Sequence, residues 1–186
     1  VTNVAGASAS DEPTVTVLHS AAEIEHRLQA LAVEIAERMG EDLLLVCILK
    51  GSFMFTADLM RALHHQGVRP RVDFLTVSSY GSGTTSSGEL RLLRDIDEEV
   101  QGQKVLLVDD VLDTGRTLRF ASETMRERGA AEVRSCVLLD KPARRAVSMN
   151  ADFTGFDIPD VFVVGYGLDY AHRFRELPYI GQLPET

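Results

Sequence analysis

Seven consecutive apolar residues, Leu43 to Leu49, constrain this chain more than any other feature. The run is far below the roughly 18 residues of a membrane-crossing helix, and no other run approaches that length. It shows no polar alternation, so a strand built from it must be covered on both faces. Val105 to Val108 repeats the pattern, and Val72 to Ser78, Leu90 to Leu93, Val133 to Leu139 and Val161 to Val164 read as further strands. Helical periods lie between them. Ser20-Ala21-Ala22-Glu23 fits a capping box, followed by Ile24, Leu28, Leu31, Ile35 and Met39 at helical spacing, with Gly40 ending the run. A second helix is predicted from about Phe53 to Gln66, and a third follows Arg116 and stops at Gly129. Strands alternating with helices predict an α/β domain with a mostly parallel sheet. Val161 to Val164 closes this strand set, and Leu168 to Thr186 receives no element. A length of 186 residues suits one domain. Its expected limits are 14–186, after a disordered tail over 1–13.

The formal charge is −9 and the pI near 5.0. Counterion release on nucleic acid needs a basic face, so no nucleic-acid partner is expected. Phosphorylated small ligands need only local positive charge. Cys47 and Cys136 each sit inside an apolar run, which suits reduced core thiols in a reducing compartment. Val1 to Pro13 lacks both Lys or Arg and an apolar stretch. The expectation is therefore a chain with no secretory signal, residing in the cytoplasm and away from membranes.

Two features invite a functional reading and fail on detail. Gly81 to Gly88 is rich in Gly, Ser and Thr, but it has neither P-loop spacing nor the third glycine of a dinucleotide fingerprint. Its composition fits a plain surface excursion or a lid. His64 and His65 are neighbours on a helix, about 100° apart, and do not converge on one metal. His19, His26 and His172 have no partner at ligand spacing.

The segment from Val105 to Leu118 is different in kind. A buried strand runs into Asp109 and Asp110. Asp113, Thr114, Gly115, Arg116 and Thr117 follow, and then a helix. Strand ends of open α/β sheets are where ligands bind. Helix N-termini present free N–H groups to a phosphate. Gly115 permits close backbone approach, Thr114 and Thr117 add hydroxyls, and the paired carboxylates suit vicinal ribose hydroxyls. The segment reads as a ribose 5-phosphate site. The bland alternative, Asp113 or Thr114 as a helix N-cap, leaves the other carboxylates without a purpose.

This segment resembles the signature of the type I phosphoribosyltransferases, which use 5-phosphoribosyl 1-pyrophosphate (PRPP). Leu49-Lys50-Gly51-Ser52, Ser79-Tyr80, Leu139-Asp140-Lys141-Pro142 and Phe162 to Tyr170 narrow the resemblance to the 6-oxopurine members, the hypoxanthine-guanine phosphoribosyltransferases of bacterial type. It runs from about Leu43 to Ile180. Asp109 stands where many relatives have Glu, and Arg116 where many have Lys; both keep the charge. The resemblance implies a mostly parallel twisted sheet flanked by helices, with a small hood and a mobile lid begun by Ser79 and Tyr80. It implies that Asp109 and Asp110 hold the ribose hydroxyls, and that Asp113 to Thr117 wrap the 5-phosphate. Asp113 would also face purine N7 as general acid/base. Lys141 would donate to the 6-oxo group, with Phe162 stacking on the base and Val163 reading its edge. Lys50, Gly51 and Arg175 would contact pyrophosphate. Mg²⁺ is the implied cofactor, on Asp169 beside the base, with Asp109 and Asp110 as further ligands. A non-proline cis peptide at Leu49–Lys50 and a homodimer or homotetramer are implied too.

The chemistry of that reaction suits these residue types. Displacing pyrophosphate from C1 of the ribose leaves negative charge on the departing group, which Lys50, Arg175 and a metal stabilise. The oxocarbenium-like sugar is quenched by water unless a lid closes. Taken singly, Lys141 reads as a solvated lysine before a turn, Phe162 as core and Asp169 as a surface turn. Arg175 reads as a partner of Glu176 or Asp169. Their joint order favours the site. Two alternatives stand beside purine salvage: a phosphoribosyltransferase for another base, and an RNA-binding regulator on the same fold.

Overall fold

The computed structural model describes residues 13–79 and 90–184. Residues 1–12 of the expected tail over 1–13, and the expected lid beyond Ser79, from Tyr80 to Glu89, lie outside them. Six strands form the main sheet: β2 (Leu44–Leu49), β3 (Arg71–Ser79), β4 (Leu90–Arg94), β5 (Lys104–Leu112), β6 (Glu132–Asp140) and β7 (Phe153–Asp157). Their order is β4-β3-β2-β5-β6-β7. All neighbours are parallel except β3 and β4. Helices α1 (Ala21–Met39) and α2 (Phe53–His65) cover one face, and α3 (Arg116–Glu127) covers the other.

The apolar run Leu43 to Leu49 divides residue by residue between these layers. Leu43 and Leu45 join the core under α1 and α2, while Leu44, Val46 and Ile48 join the core with Leu118, Ala121 and Met125 of α3. Successive side chains of a strand point to opposite faces, so a strand with both faces covered needs no polar residue. Burying a side chain of this size is worth about 1.5–3 kcal/mol, and the central strands apply that gain at nearly every position. The capping box on α1 forms as expected: Ser20 N donates to Glu23 Oε2 at 2.8 Å, and Glu23 N donates back to Ser20 Oγ at 3.3 Å.

Two expectations need correction. Val163–Val164 (β8) is not in the main sheet; with β1 (Thr16–His19) and β9 (Ile180–Gln182) it forms a separate antiparallel sheet of order β1-β9-β8. The sixth strand of the main sheet is β7, which the sequence pattern hid. It is a five-residue edge strand containing Gly155, where a Cβ would lie 2.3 Å from the Leu138 carbonyl oxygen. A glycine dictated by close strand approach reads from sequence as a break. β5 also runs beyond its expected end, through Asp109 and Asp110 to Leu112. Among the described residues, no helix is long and apolar enough to cross a membrane.

Candidate active site

The carboxyl end of β5 separates its two aspartates by strand alternation. Asp109 lines a small pocket of about 50 Å³ with Asp113, Thr114, Gly115 and Thr117; Asp110 lines a larger cleft of about 400 Å³. Burial pushes the Asp109 carboxyl well above the ordinary carboxylate range, and the neighbouring Asp110 charge adds to it. Burial also raises Asp110, against the opposing pull of hydrogen bonds and of Arg175. The small pocket is closed by the turn into α3. Gly115 is the N-cap, at φ +83°, so neither Asp113 nor Thr114 caps the helix. A Cβ on Gly115 would sit 3.1–3.2 Å from side-chain atoms of Arg145, Met149 and Val147. Gly115 offers no side-chain cap; the Arg116 N–H makes a long 3.5 Å contact to Thr114 Oγ1, and a helix N-terminus of this kind suits an anion. Arg116 is the exception in this stretch. Its side chain is exposed and stands outside the pocket lining.

The larger cleft gathers residues far apart in the chain. Lys50, Gly51, Asp110, Asp113, Lys141, Phe162, Val163, Asp169 and Arg175 all line it. The Leu49–Lys50 peptide is cis, as the resemblance implies. A Cβ on Gly51 would fall 1.6 Å from Asp110 Oδ2, so any side chain there would displace the carboxylate. Gly167, at φ +99°, packs on the same loop; its Cβ would lie 2.2 Å from the Gly51 carbonyl oxygen. Arg175 donates to the Gly167 carbonyl and pairs with Asp169 at 2.6 Å. The bland pairing weighed for Arg175 therefore exists, and it exists inside the cleft.

Lys141 is buried, and its Nζ donates to the Val161 carbonyl at 2.7 Å. Burial pulls its pKa below the ordinary lysine value, opposed by the charges of Asp113 and Asp160. An ammonium has three donors, so this one bond fixes the group and leaves it able to donate into the cleft. Phe162 is not core: it is 54% exposed and meets Tyr170 edge-on, with ring centroids 5.7 Å apart.

Comparison with known proteins settles the family. The model of the phosphoribosyl transferase domain matches residues 14–171. The chain belongs to the phosphoribosyl transferase family. It is 47% identical over 173 residues to a hypoxanthine phosphoribosyltransferase of Escherichia coli K12, covering 91% of this chain and 96% of that one. A hypoxanthine-guanine phosphoribosyltransferase of Bacillus subtilis 168 is 44% identical over 168 residues, 90% and 92% of the two chains. A ternary substrates complex of a Trypanosoma cruzi hypoxanthine phosphoribosyltransferase variant superposes with a TM-score of 0.86 at 40% identity, covering 92% and 96%.

Within this phosphoribosyltransferase, sequence reasoning missed two arginines. Arg145 Nη1 donates to the Leu112 carbonyl at 2.9 Å and to the Asp113 carbonyl, and its Nη2 pairs with Asp140. It thereby joins the ends of β5 and β6 and holds the phosphate loop. Arg144 Nε lies 3.1 Å from Asp113 Oδ1. Both follow Lys141-Pro142-Ala143, where an Arg pair reads as solvated charge; no local pattern marks them.

The expected metal ligands lie in two places. Among the described residues, no three acidic, His or Cys side chains are arranged to hold an ion. Asp109 faces the small pocket and Asp110 the cleft, so Asp109, Asp110 and Asp169 do not form one centre. Asp110 and Asp169 do share the cleft, and Mg²⁺ is commonly bound by one or two carboxylates while keeping several waters. The oxygen donors of this pair are of the kind that ion takes, and Asp169 is at present engaged by Arg175 and by the His172 N–H.

Proposed function

We propose that this chain is an enzyme of purine salvage, transferring the 5-phosphoribosyl group of PRPP to N9 of hypoxanthine or guanine. The products are IMP or GMP and pyrophosphate. The N9–C1 bond forms as the C1–pyrophosphate bond breaks, the leaving oxygen keeps the electron pair, and the N7 proton passes to Asp113. What carries the reading is the single cleft in which Lys50, Asp110, Asp113, Lys141, Phe162, Asp169 and Arg175 meet.

The roles follow from the chemistry of each group. The α3 N-terminus with Thr114, Gly115 and Thr117 takes the 5-phosphate. Asp109 and Asp110 accept from the ribose hydroxyls, each carboxylate keeping an oxygen beyond the one that accepts a backbone N–H. Lys141 donates to the 6-oxo oxygen, Phe162 stacks on the base, and Val163 reads its edge through the backbone. Lys50, Gly51 and Arg175 face the pyrophosphate. Mg²⁺, held by Asp110 and Asp169, would neutralise diphosphate charge. Arg116, being exposed, would reach a phosphate only by reorienting its side chain. The reading extends to a homodimer or homotetramer in the cytoplasm, and to a lid begun by Ser79 and Tyr80, both on the strength of the resemblance.

The test is turnover with PRPP and Mg²⁺ against hypoxanthine, guanine, xanthine and adenine. Turnover of hypoxanthine or guanine is expected. Turnover of another base alone would move the enzyme to the first alternative, and no turnover of any base to a binding role.

A further inference from the structure

We propose that Arg144 is a positioning residue for Asp113: it fixes one carboxylate oxygen and so presents the other to the purine. The inference rests on the acid/base role given to Asp113 above. Arg144 closes the short 3₁₀ turn Pro142–Arg144, and its backbone N–H donates to the Lys141 carbonyl at 3.1 Å. From that turn the guanidinium bridges two walls of the cleft. Nε lies 3.1 Å from Asp113 Oδ1 on the phosphate side, and Nη1 lies 3.5 Å from Asp160 Oδ1 on the base side. Asp160 immediately precedes Val161, whose carbonyl holds Lys141.

The two oxygens of Asp113 are not equivalent. Oδ1 is buried and has no hydrogen bond; its near neighbour is the Arg144 guanidinium, close as an ion pair without hydrogen-bond alignment. The side chain as a whole is 37% exposed. The accessible part is therefore the remainder of the carboxylate, and Asp113 lines the cleft. Arg145 already holds the Asp113 backbone carbonyl. What is left free is the side-chain torsion, and the Arg144 charge biases it. The arginine is half exposed, and exposed ion pairs add little to stability. Its effect lies in orientation, and because it sits on the same turn as Lys141, it places the proton acceptor relative to the group that holds the base.

The experiment compares wild type, Arg144→Gln, Arg144→Lys, Asp113→Asn and the Arg144→Gln/Asp113→Asn double variant of the full chain. Steady-state kcat, KM for PRPP and hypoxanthine, and Tm are measured for each. Misplacing a catalytic group costs on the order of 10²-fold. Arg144→Gln should lower kcat roughly 10- to 100-fold while leaving KM for PRPP and Tm close to wild type. Arg144→Lys, which keeps the charge with a different reach, should recover part of the loss. Asp113→Asn should lower kcat by about 10²–10⁴-fold. Adding Arg144→Gln to it should cost almost nothing more, because residues acting as a unit are not additive. Equal loss in both backgrounds, a kcat for Arg144→Gln near wild type, or an Arg144→Gln chain that fails to fold would each overturn the proposal. A wild-type chain inactive on every base would instead overturn the function itself.

Discussion

The two walls of the cleft are built in opposite ways. The phosphate wall is one continuous stretch, Asp109 to Thr117, shaped by strand alternation, the positive φ of Gly115 and the open end of α3. The base wall has no such continuity. Lys141 leaves β6, Phe162 and Val163 enter the small sheet, and Asp169 and Arg175 lie in the turns that follow. These pieces are brought together by contacts from several elements: Lys141 Nζ to the Val161 carbonyl and Lys141 N–H to the Leu112 carbonyl, Val163 to Gln182 of β9, and Arg175 to Asp169 and the Gly167 carbonyl. The phosphate wall takes its shape from local geometry and is braced from outside by Arg145 and by the Ala146 N–H on the Thr114 carbonyl. A wall made by long-range contacts can vary one contact at a time, which suits the part of the site that chooses among bases.

The largest expected effect lies on the base wall. An ammonium donates hydrogen bonds and accepts none. It matches a 6-oxo oxygen and opposes the 6-amino group of adenine, donor against donor. Sites built to pair a polar group reject an unpaired analogue by about 10⁴–10⁵-fold, so kcat/KM for adenine should fall that far below hypoxanthine. Lys141→Gln offers a donor and an acceptor; it should lower kcat/KM for hypoxanthine and narrow the ratio to adenine. KM for PRPP should stay near wild type. A ratio unchanged by the substitution would mean that the base is chosen elsewhere in the cleft.

The same contrast explains what was legible in the sequence. The phosphate wall could be read because its chemistry is contiguous: an apolar run, three carboxylates, a Thr-Gly-Arg-Thr turn and a helix. β2 and β5 could be read because burial on both faces removes polar residues from the strand. Lys141, Phe162 and Asp169 are each ordinary in isolation, and only a resemblance to a family joins them. Arg144 and Arg145 escaped altogether, since their partners are Asp113, Asp160, Asp140 and two backbone carbonyls brought near by folding. β7 escaped because Gly155 answers to the Leu138 carbonyl rather than to its own strand. β8 reads as a strand, but its place in the small sheet is not legible, because two Val residues carry no information about their hydrogen-bonding partners.

Arg145 is where the two walls meet, and removing it should disturb both. Its side chain and that of Asp140 are each only 15% exposed. Arg145→Ala leaves the Asp140 carboxylate without its cation and the Asp113 carbonyl without this donor, while the Leu112 carbonyl keeps the Lys141 N–H. Breaking a buried pair from one side costs about 3–5 kcal/mol. At about 2–4 °C per kcal/mol for a chain of this size, Tm should fall by roughly 6–20 °C. Arg145→Lys keeps the charge but not the forked donors, so it should recover only part. A Tm within about 2 °C of wild type would show that the phosphate wall stands without this brace.

The smallest effect, and the one of opposite sign, belongs to Asp109 on the phosphate wall. Burial and the adjacent Asp110 raise its folded-state pKa, so the folded protein holds a proton more tightly than the unfolded chain does. Such a group costs nothing below the unfolded carboxylate pKa of about 3.9. The folded state then loses stability as pH rises from there through the raised folded value, because the folded state binds more protons over that interval. Asp109→Asn removes the titration and relieves Asp110 of a like charge. Its Tm should therefore exceed that of wild type by roughly 2–5 °C near pH 7, and the two should converge toward pH 4. Activity should move the other way, since the amide is a poorer acceptor for a ribose hydroxyl. A variant that is both less stable and less active at pH 7 would mean that the Asp109 carboxylate already has compensation in the ligand-free fold. A variant more stable but less active would mark Asp109 as a site where binding, not folding, requires the charge.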